Sequence, residues 1–461
     1  MLTISGIHTA SDDPIGPLFE CSWFYRMWTI QEVTLSAFQK TFLRCGSLEI
    51  PWPALLLVAD ALKVVRYKWG RWEEATELQK QLTTYLIVRR IPGSKAILDD
   101  NPGDVHNDPL VFDILANTRK KLARDEKDKV FALYGLFTEL EIPFPRPDYK
   151  LPVEDIYRQA TAASIRHDKV LHVLYHAPSD KRRKSLASWV PDWAERGFEP
   201  TDGRHGVLRD RFAASGPGHP IFQFSSDESA LILRGKIIDT VIYKAEPLPD
   251  VVSVASKAIS GDSPQDPRIT YLRNNHDTAR ILRSWVEIST WTKYPTGETS
   301  KDALQRTLVM DNPEENKDYT ENGSFDAWYK NMSLTDIELA TKAIDQLSLR
   351  QPSGNGQPSS DELLSLTLFG NNPFHTFITL WNSLKCFFYT ENNYFGTAPD
   401  PLQVSMHAGD VIALVSGLEM PLVLRPVEGS YRLVTHVYLH GVMYGELWPE
   451  AEEELDDIVL L

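Results

Sequence analysis

The stretch DVIALVSGLEMPLVLRPVEGSYRLVTHVYLHG, Asp410–Gly441, decides one half of the fold. Its apolar runs are short, rich in Val, Ile and Leu, and broken at Ser416-Gly417 and Glu428-Gly429. Runs of that length between turn residues read as strands, because an amphipathic helix needs ten or more periodic positions to bury a face. KCFFYT (Lys385–Thr390) has the same character, and IFQFSSDESALILRGKIIDTVIYK (Ile221–Lys244) alternates as two strands about Ser226-Asp227-Glu228-Ser229. Together these predict a small antiparallel sheet or barrel.

Working outward from it, residues 277–294 and 324–350 carry a helical period, and RQPSGNGQPSSDE (Arg350–Glu362) reads as a flexible loop. The acidic tail EAEEELDD (Glu450–Asp457) is expected to fray. The first 195 residues are helical in character instead. CSWFYRMWTIQEVTLSAF (Cys21–Phe38) places Phe24, Met27, Trp28, Gln31, Leu35 and Phe38 at spacings of three and four, predicting one helix over 20–38. FLRCGSLEI (Phe42–Ile50) reads as a hairpin. Helices follow from Pro51-Trp52-Pro53 to about Lys68 and over 74–90, then a loop over Asn101–Pro109 whose Asp108 caps a helix to about Lys120. EKDKVFALYGLF (Glu126–Phe137) is a short apolar helix, and the helix opening at Pro152 has Glu154 and Asp155 in its first turn, which suits the helix dipole. The expected class is α+β, with an α-rich region 1–195 and a β-rich module 196–461 holding a helical insertion over about 250–384.

Composition narrows the function. A chain of 461 residues that is 42% apolar and 10% aromatic can build real cores. Acidic residues outnumber basic ones by 63 to 48, a formal charge of −15, which disfavours nucleic acid and polybasic membrane contacts as partners. The basic cluster DKRRKS (Asp180–Ser185) reads as a solvated loop. Cys21, Cys45 and Cys386 fit neither a disulfide framework nor a zinc pattern, and free thiols point to the cytoplasm. No secretory leader opens the sequence, and its longest apolar run, Pro53–Leu62, is far below the ~20 residues a bilayer needs.

Nucleophile-elbow, phosphate-loop and zinc-protease motifs are missing. His172 and His176 have a metal-ligand spacing but no third ligand in view, and a polar edge on a core element explains them as well. Glu32 is the residue with two open readings. On a helix it neighbours Trp28, and a carboxylate against an indole loses hydration, which suits proton transfer or stabilising a cation. It serves equally as a structural carboxylate bonded to another segment. Arg26 is expected to pair with a carboxylate of Asp125–Asp128, and Trp28 to be largely buried.

Four segments carry a resemblance. Trp23-Phe24-x-Arg26-x-Trp28-x-x-Gln31-Glu32, then Asp125 to Leu136 with Asp128 and Lys129, then Pro147-Asp148-Tyr149 with Val153 to Tyr157, then Ser188-Trp189-Val190-Pro191-Asp192-Trp193, occur in this order. They resemble the fungal heterokaryon-incompatibility (HET) domain, and the segment from Ala408 to Glu446 resembles the β-rich end of such proteins. The family's opening segments are not matched, so the resemblance implies a partial domain, through truncation or a misplaced start. It implies a role in non-self recognition and programmed cell death, acting through other proteins or self-association, with no resident cofactor. HET domains are held to be remote relatives of TIR domains, some of which cleave NAD with a glutamate. The resemblance thus implies a second reading, a TIR-like NAD-cleaving hydrolase that uses Glu32 and takes NAD as substrate.

Overall fold

The computed structural model describes residues 2–4, 21–37, 40–64, 110–179, 181–195, 211–249, 267–289, 293–312, 325, 327–328, 334–348, 375, 378–379, 381–399 and 406–461. The sequence-expected helix 74–90, the cap Asp108 and the loop 350–362 lie outside these. The architecture is α+β. The chain forms two compact units, the first from residues 1–177, 181–198 and 226–229, the second from 178–180, 199–225 and 230–461.

Unit 1 opens on β1 (Leu2–Ile4), which runs parallel to β2 (Phe42–Cys45), itself antiparallel to β3 (Leu48–Pro51) across a turn with Gly46 at φ +61°. Between β1 and β2 the helix expected over 20–38 is in two pieces, a 3-10 turn over Ser22–Tyr25 and α1 (Trp28–Thr34). The cause is a long-range pairing. Arg26 is extended (φ −81°, ψ 141°), the Met27 amide donates to the Leu122 carbonyl at 2.9 Å, and the Leu122 amide returns a bond to Tyr25. A backbone committed to another strand cannot continue its helical ladder. The break also re-aims the apolar face, so Ile30 and Val33 are buried while Trp28 and Gln31 are half-buried.

Next come α2 (Trp52–Val64), α3 (Val111–Thr118), α4 (Asp128–Phe131) and α5 (Tyr134–Glu139), the last two replacing the single helix expected over 126–137. The longest helix of this unit among the described residues is α6 (Val153–Asp168), stopped by Lys169 in the left-handed region at φ 51°. It buries Ile156, Tyr157, Ala160, Thr161, Ser164 and Ile165, a stripe at helical spacing. Leu110, at the start of α3, offers no side-chain cap; the Val111 and Phe112 amides donate instead to the two oxygens of Asp168, each at 2.9 Å.

Unit 2 holds β4 (Phe222–Phe224) and the long β5 (Leu231–Lys244), then α7 (Pro267–Ser289), α8 (Ser300–Leu308) and α9 (Leu334–Ser348). It continues with β6 (Lys385–Thr390), β7 (Phe395–Pro399), β8 (Val411–Val415), β9 (Leu422–Val427), β10 (Ser430–His436), β11 (Tyr438–Leu439) and β12 (Asp456–Leu460). β8, β9 and β10 pair in succession as the sequence predicts, and β5 hydrogen-bonds β8 and β12 while β12 meets β10. The order β5–β12–β10–β9–β8 therefore returns to β5 and closes a five-stranded barrel. Beyond residue 240 the same β5 leaves the barrel and pairs with β6, which pairs with β7 and that with β11. Trp285, Tyr294, Leu304, Phe387 and Phe395 belong to one core cluster of helix and sheet residues, and Ile412, Leu414, Val423 and Val434 to another.

The structure corrects two expectations here. The tail does not fray: Ile458 and Leu460 are buried in β12, with Asp457 and Asp456 paired to Arg234 and Lys236 at 3.0 and 3.3 Å. And α8, which the sequence reading passed over, is a regular helix capped by Thr299, whose hydroxyl oxygen accepts from the Asp302 amide at 3.1 Å.

Candidate functional site

Unit 1 gathers the motif residues around the segment 119–129. Trp28 Nε1 donates to Asp128 Oδ2 at 3.1 Å, and the Tyr149 hydroxyl donates to Asp128 Oδ1 at 2.6 Å. The acidic segment thus meets the α1 motif, but through the indole. Arg26 is exposed, and its side chain makes no ion pair among the described residues, so the expected Arg26–carboxylate pair does not form. An extended backbone at 26 sends the guanidinium outward, and Asp128 is already engaged by two donors. Asp125 turns inward on its own loop, accepting from the Lys127 amide at 3.0 Å. Desolvation and the bond to Asp128 push the Tyr149 phenol up to about 12.

Lys129 is buried, and its ammonium donates to the carbonyls of Arg119, at 2.7 Å, and Lys121. Lys121, also buried, donates to the Phe24 carbonyl at 2.8 Å. Arg119 completes the set. Its guanidinium donates to the Asp192 carbonyl at 3.1 and 2.8 Å and to the His176 carbonyl at 3.2 Å, lies 5.8 Å from the Trp193 ring, and pairs with Glu195 at 3.5 Å. Burial pulls its pKa down to about 10 against the opposing pull of Glu195 and Asp192, so it stays charged at neutral pH. Three buried cations thereby satisfy carbonyls that irregular backbone leaves without ladder partners.

The last motif folds onto this frame. Trp189 and Trp193 are buried, and Asp192 accepts from the amides of Arg183 and Ala194, each at 3.1 Å, and from the Arg183 guanidinium at 3.4 Å. Arg183 also pairs with Glu126 at 2.5 Å, and Arg182 donates to the carbonyls of Leu186, Ala187 and Val190. The stretch expected to be a solvated basic loop is therefore partly structural, its two arginines half-buried. Trp23 stands edge-on to Phe24 and Trp52, at 5.0 and 6.2 Å. Gln31 packs on Gly135, where a Cβ would lie 2.6 Å from its Oε1. His176 is buried edge-on to Phe112, and no group of three ligating residues among the described residues could hold a metal ion.

Glu32 differs from all of these. It is exposed, and among the described residues its carboxylate has no hydrogen bond or ion pair; only its backbone carbonyl accepts, from Ser36. Sequence reasoning missed Arg119, Lys121 and Asp168. The one signal was an unusual density of cations in TRKKLARDEKDK (Thr118–Lys129), a pattern that exposed helices share.

Among the described residues, no helix is long and apolar enough to cross a membrane. Residues 372–460, which contain β6 to β12, match the Het-6 β-barrel domain family. The chain is also similar to heterokaryon incompatibility protein 6, OR allele, of Neurospora crassa, at 22% identity over 94% of this chain. It spans 66% of that protein's length. No solved structure matches. The resemblance to heterokaryon-incompatibility proteins, read first from four short motifs, therefore holds.

Proposed function

We propose that this chain, a relative of the heterokaryon-incompatibility proteins, serves in fungal heterokaryon incompatibility through contact with another protein, in the cytoplasm, upstream of programmed cell death. The observation that carries this reading is the closed barrel of unit 2, whose strands β8, β9, β10 and β12 lie in the stretch matched to the Het-6 family. The state of unit 1 favours interaction over catalysis. Its motif residues Trp28, Asp128, Lys129 and Asp192 are engaged with one another or with backbone. Expression of the chain in one partner of a fusing fungal pair tests the reading. Death of fused cells, with a protein captured by the chain from the incompatible strain and not from the compatible one, is the expected result. Survival of every fused pair overturns it.

A second reading rests on one side chain. A carboxylate that is exposed and without a partner among the described residues, as Glu32 is, can face a ligand, and a carboxylate beside a departing nicotinamide would stabilise the ribosyl cation. The discriminating measurement is nicotinamide release from NAD by the purified chain beside its Glu32→Ala variant. Release that vanishes in the variant makes Glu32 catalytic. Equal background in both removes this reading and leaves the first untouched.

A further inference from the structure

Within unit 1 the last turn of α6 carries Arg166, His167 and Asp168. Arg166 and His167 line an open groove of about 710 Å³, with Gln159 of the same helix, Glu228, and a wall formed by Pro143, Phe144 and Pro145. That volume is in the range of small-molecule sites. The wall is anchored from behind, since Phe144 packs against the buried Phe137 with ring centroids 4.2 Å apart.

The polar side of the groove is built from behind as well. The Asp168 side chain is fully buried and accepts from the Val111 and Phe112 amides and, at 3.1 Å, from the Ser164 hydroxyl. A carboxylate that accepts from three donors also accepts from the fourth, so the 3.0 Å contact to His167 Nδ1 has its proton on the imidazole. His167 is thus fixed by a carboxylate behind it, and its Nε2 has no partner among the described residues. The Gln159 amide has none either. Arg166 already holds a carboxylate, that of Glu228. That pair is partly exposed, with side chains 48% and 29% accessible, and exposed ion pairs are weak enough for a better anion to displace.

We infer that this groove binds a small organic anion, a carboxylate or phosphate monoester on a ring or short apolar body. The anionic head meets Arg166, with His167 Nε2 and Gln159 at its side, and the apolar body lies on Phe144 and the flanking prolines. Glu228 occupies the guanidinium in the ligand's place and competes with it. This site shares no residue with the motif network or with Glu32.

The experiment is calorimetric titration of the whole chain with benzoate, with phenyl phosphate and with neutral benzyl alcohol. The anions bind and the alcohol does not. Arg166→Gln weakens anion binding by about tenfold or more, the loss of a charged hydrogen bond. Glu228→Gln strengthens it several-fold, which a merely structural ion pair would not do. Both positions are partly exposed, and circular dichroism checks that both variants fold. Preference for phenyl phosphate assigns a phosphate ligand, and preference for benzoate a carboxylate. Three results overturn the inference: no binding of either anion to the Glu228→Gln chain, unchanged affinity in Arg166→Gln, or benzyl alcohol binding as tightly as the anions.

Discussion

At the scale of single residues, Asp128 does what Arg26 was expected to organise. It joins α1 to the 143–151 segment by holding Trp28 and Tyr149 at once. Replacing Asp128 by Ala removes both acceptors, at a cost of about 1–3 kcal/mol. It also removes the hydrogen bond and the charge of Asp128, which together with desolvation and the Asp125 charge raise the Tyr149 phenol, so spectrophotometric titration should find that phenol moving from about 12 back toward 10. An unchanged titration would leave desolvation and the Asp125 charge as the cause. The sequence showed that the acidic segment and the α1 motif belong together. It could not show which donor meets the carboxylate, because guanidinium and indole both suit it and the choice depends on the extended turn at Arg26. Lys121 was illegible for a related reason, since a cation that binds carbonyls leaves no complementary acid in the sequence to betray it, and Arg119 because the Glu195 it meets is remote in sequence.

At the scale of elements, β5 does two jobs, closing the barrel with residues 231–240 and carrying the second sheet with residues 241–244. Gly235 sits where β5 is gripped on both edges, opposite Asp456 of β12 and Val415 of β8. A Cβ there would lie 2.3 Å from the Leu414 carbonyl oxygen and 2.8 Å from Ile458 Cδ1. The carbonyl is backbone and cannot swing away. Gly235→Ala should therefore destabilise unit 2 by about 1–3 kcal/mol or more, measured by urea unfolding. A variant as stable as the parent would mean that the barrel yields at this point. The strands were legible because alternation over five or more positions has few other readings. β12 was not, since only Ile458 and Leu460 alternate there and a run of acids hides them. The two halves of the 20–38 segment were illegible because Leu122, which breaks the helix, is remote in sequence.

At the scale of the whole molecule, acid should act through a buried histidine. Trp328 Nε1 donates to His375 Nδ1 at 3.1 Å, both side chains are buried, and burial lowers the His375 pKa from 6.5 to about 4. The unfolded chain takes up this proton near pH 6.5 and the folded chain only near 4. Stability from this group is therefore complete above about 6.5 and drains away as pH falls to 4, by up to about 3 kcal/mol. His375→Gln keeps an acceptor for Trp328 and should flatten the stability slope between pH 6.5 and 4. An equally steep slope in the variant would assign the acid sensitivity to other groups.

The closed ring also has a meaning for biosynthesis. β12 follows every other barrel strand in the chain, so a nascent polypeptide that already holds β5 and β10 still has both of their facing edges open. Open strand edges are what chaperones shield and what aggregation recruits. A product of premature termination before Asp456 keeps those edges permanently, and the cell's proteolytic surveillance can recognise it by them. The barrel thus reports on the integrity of its own message.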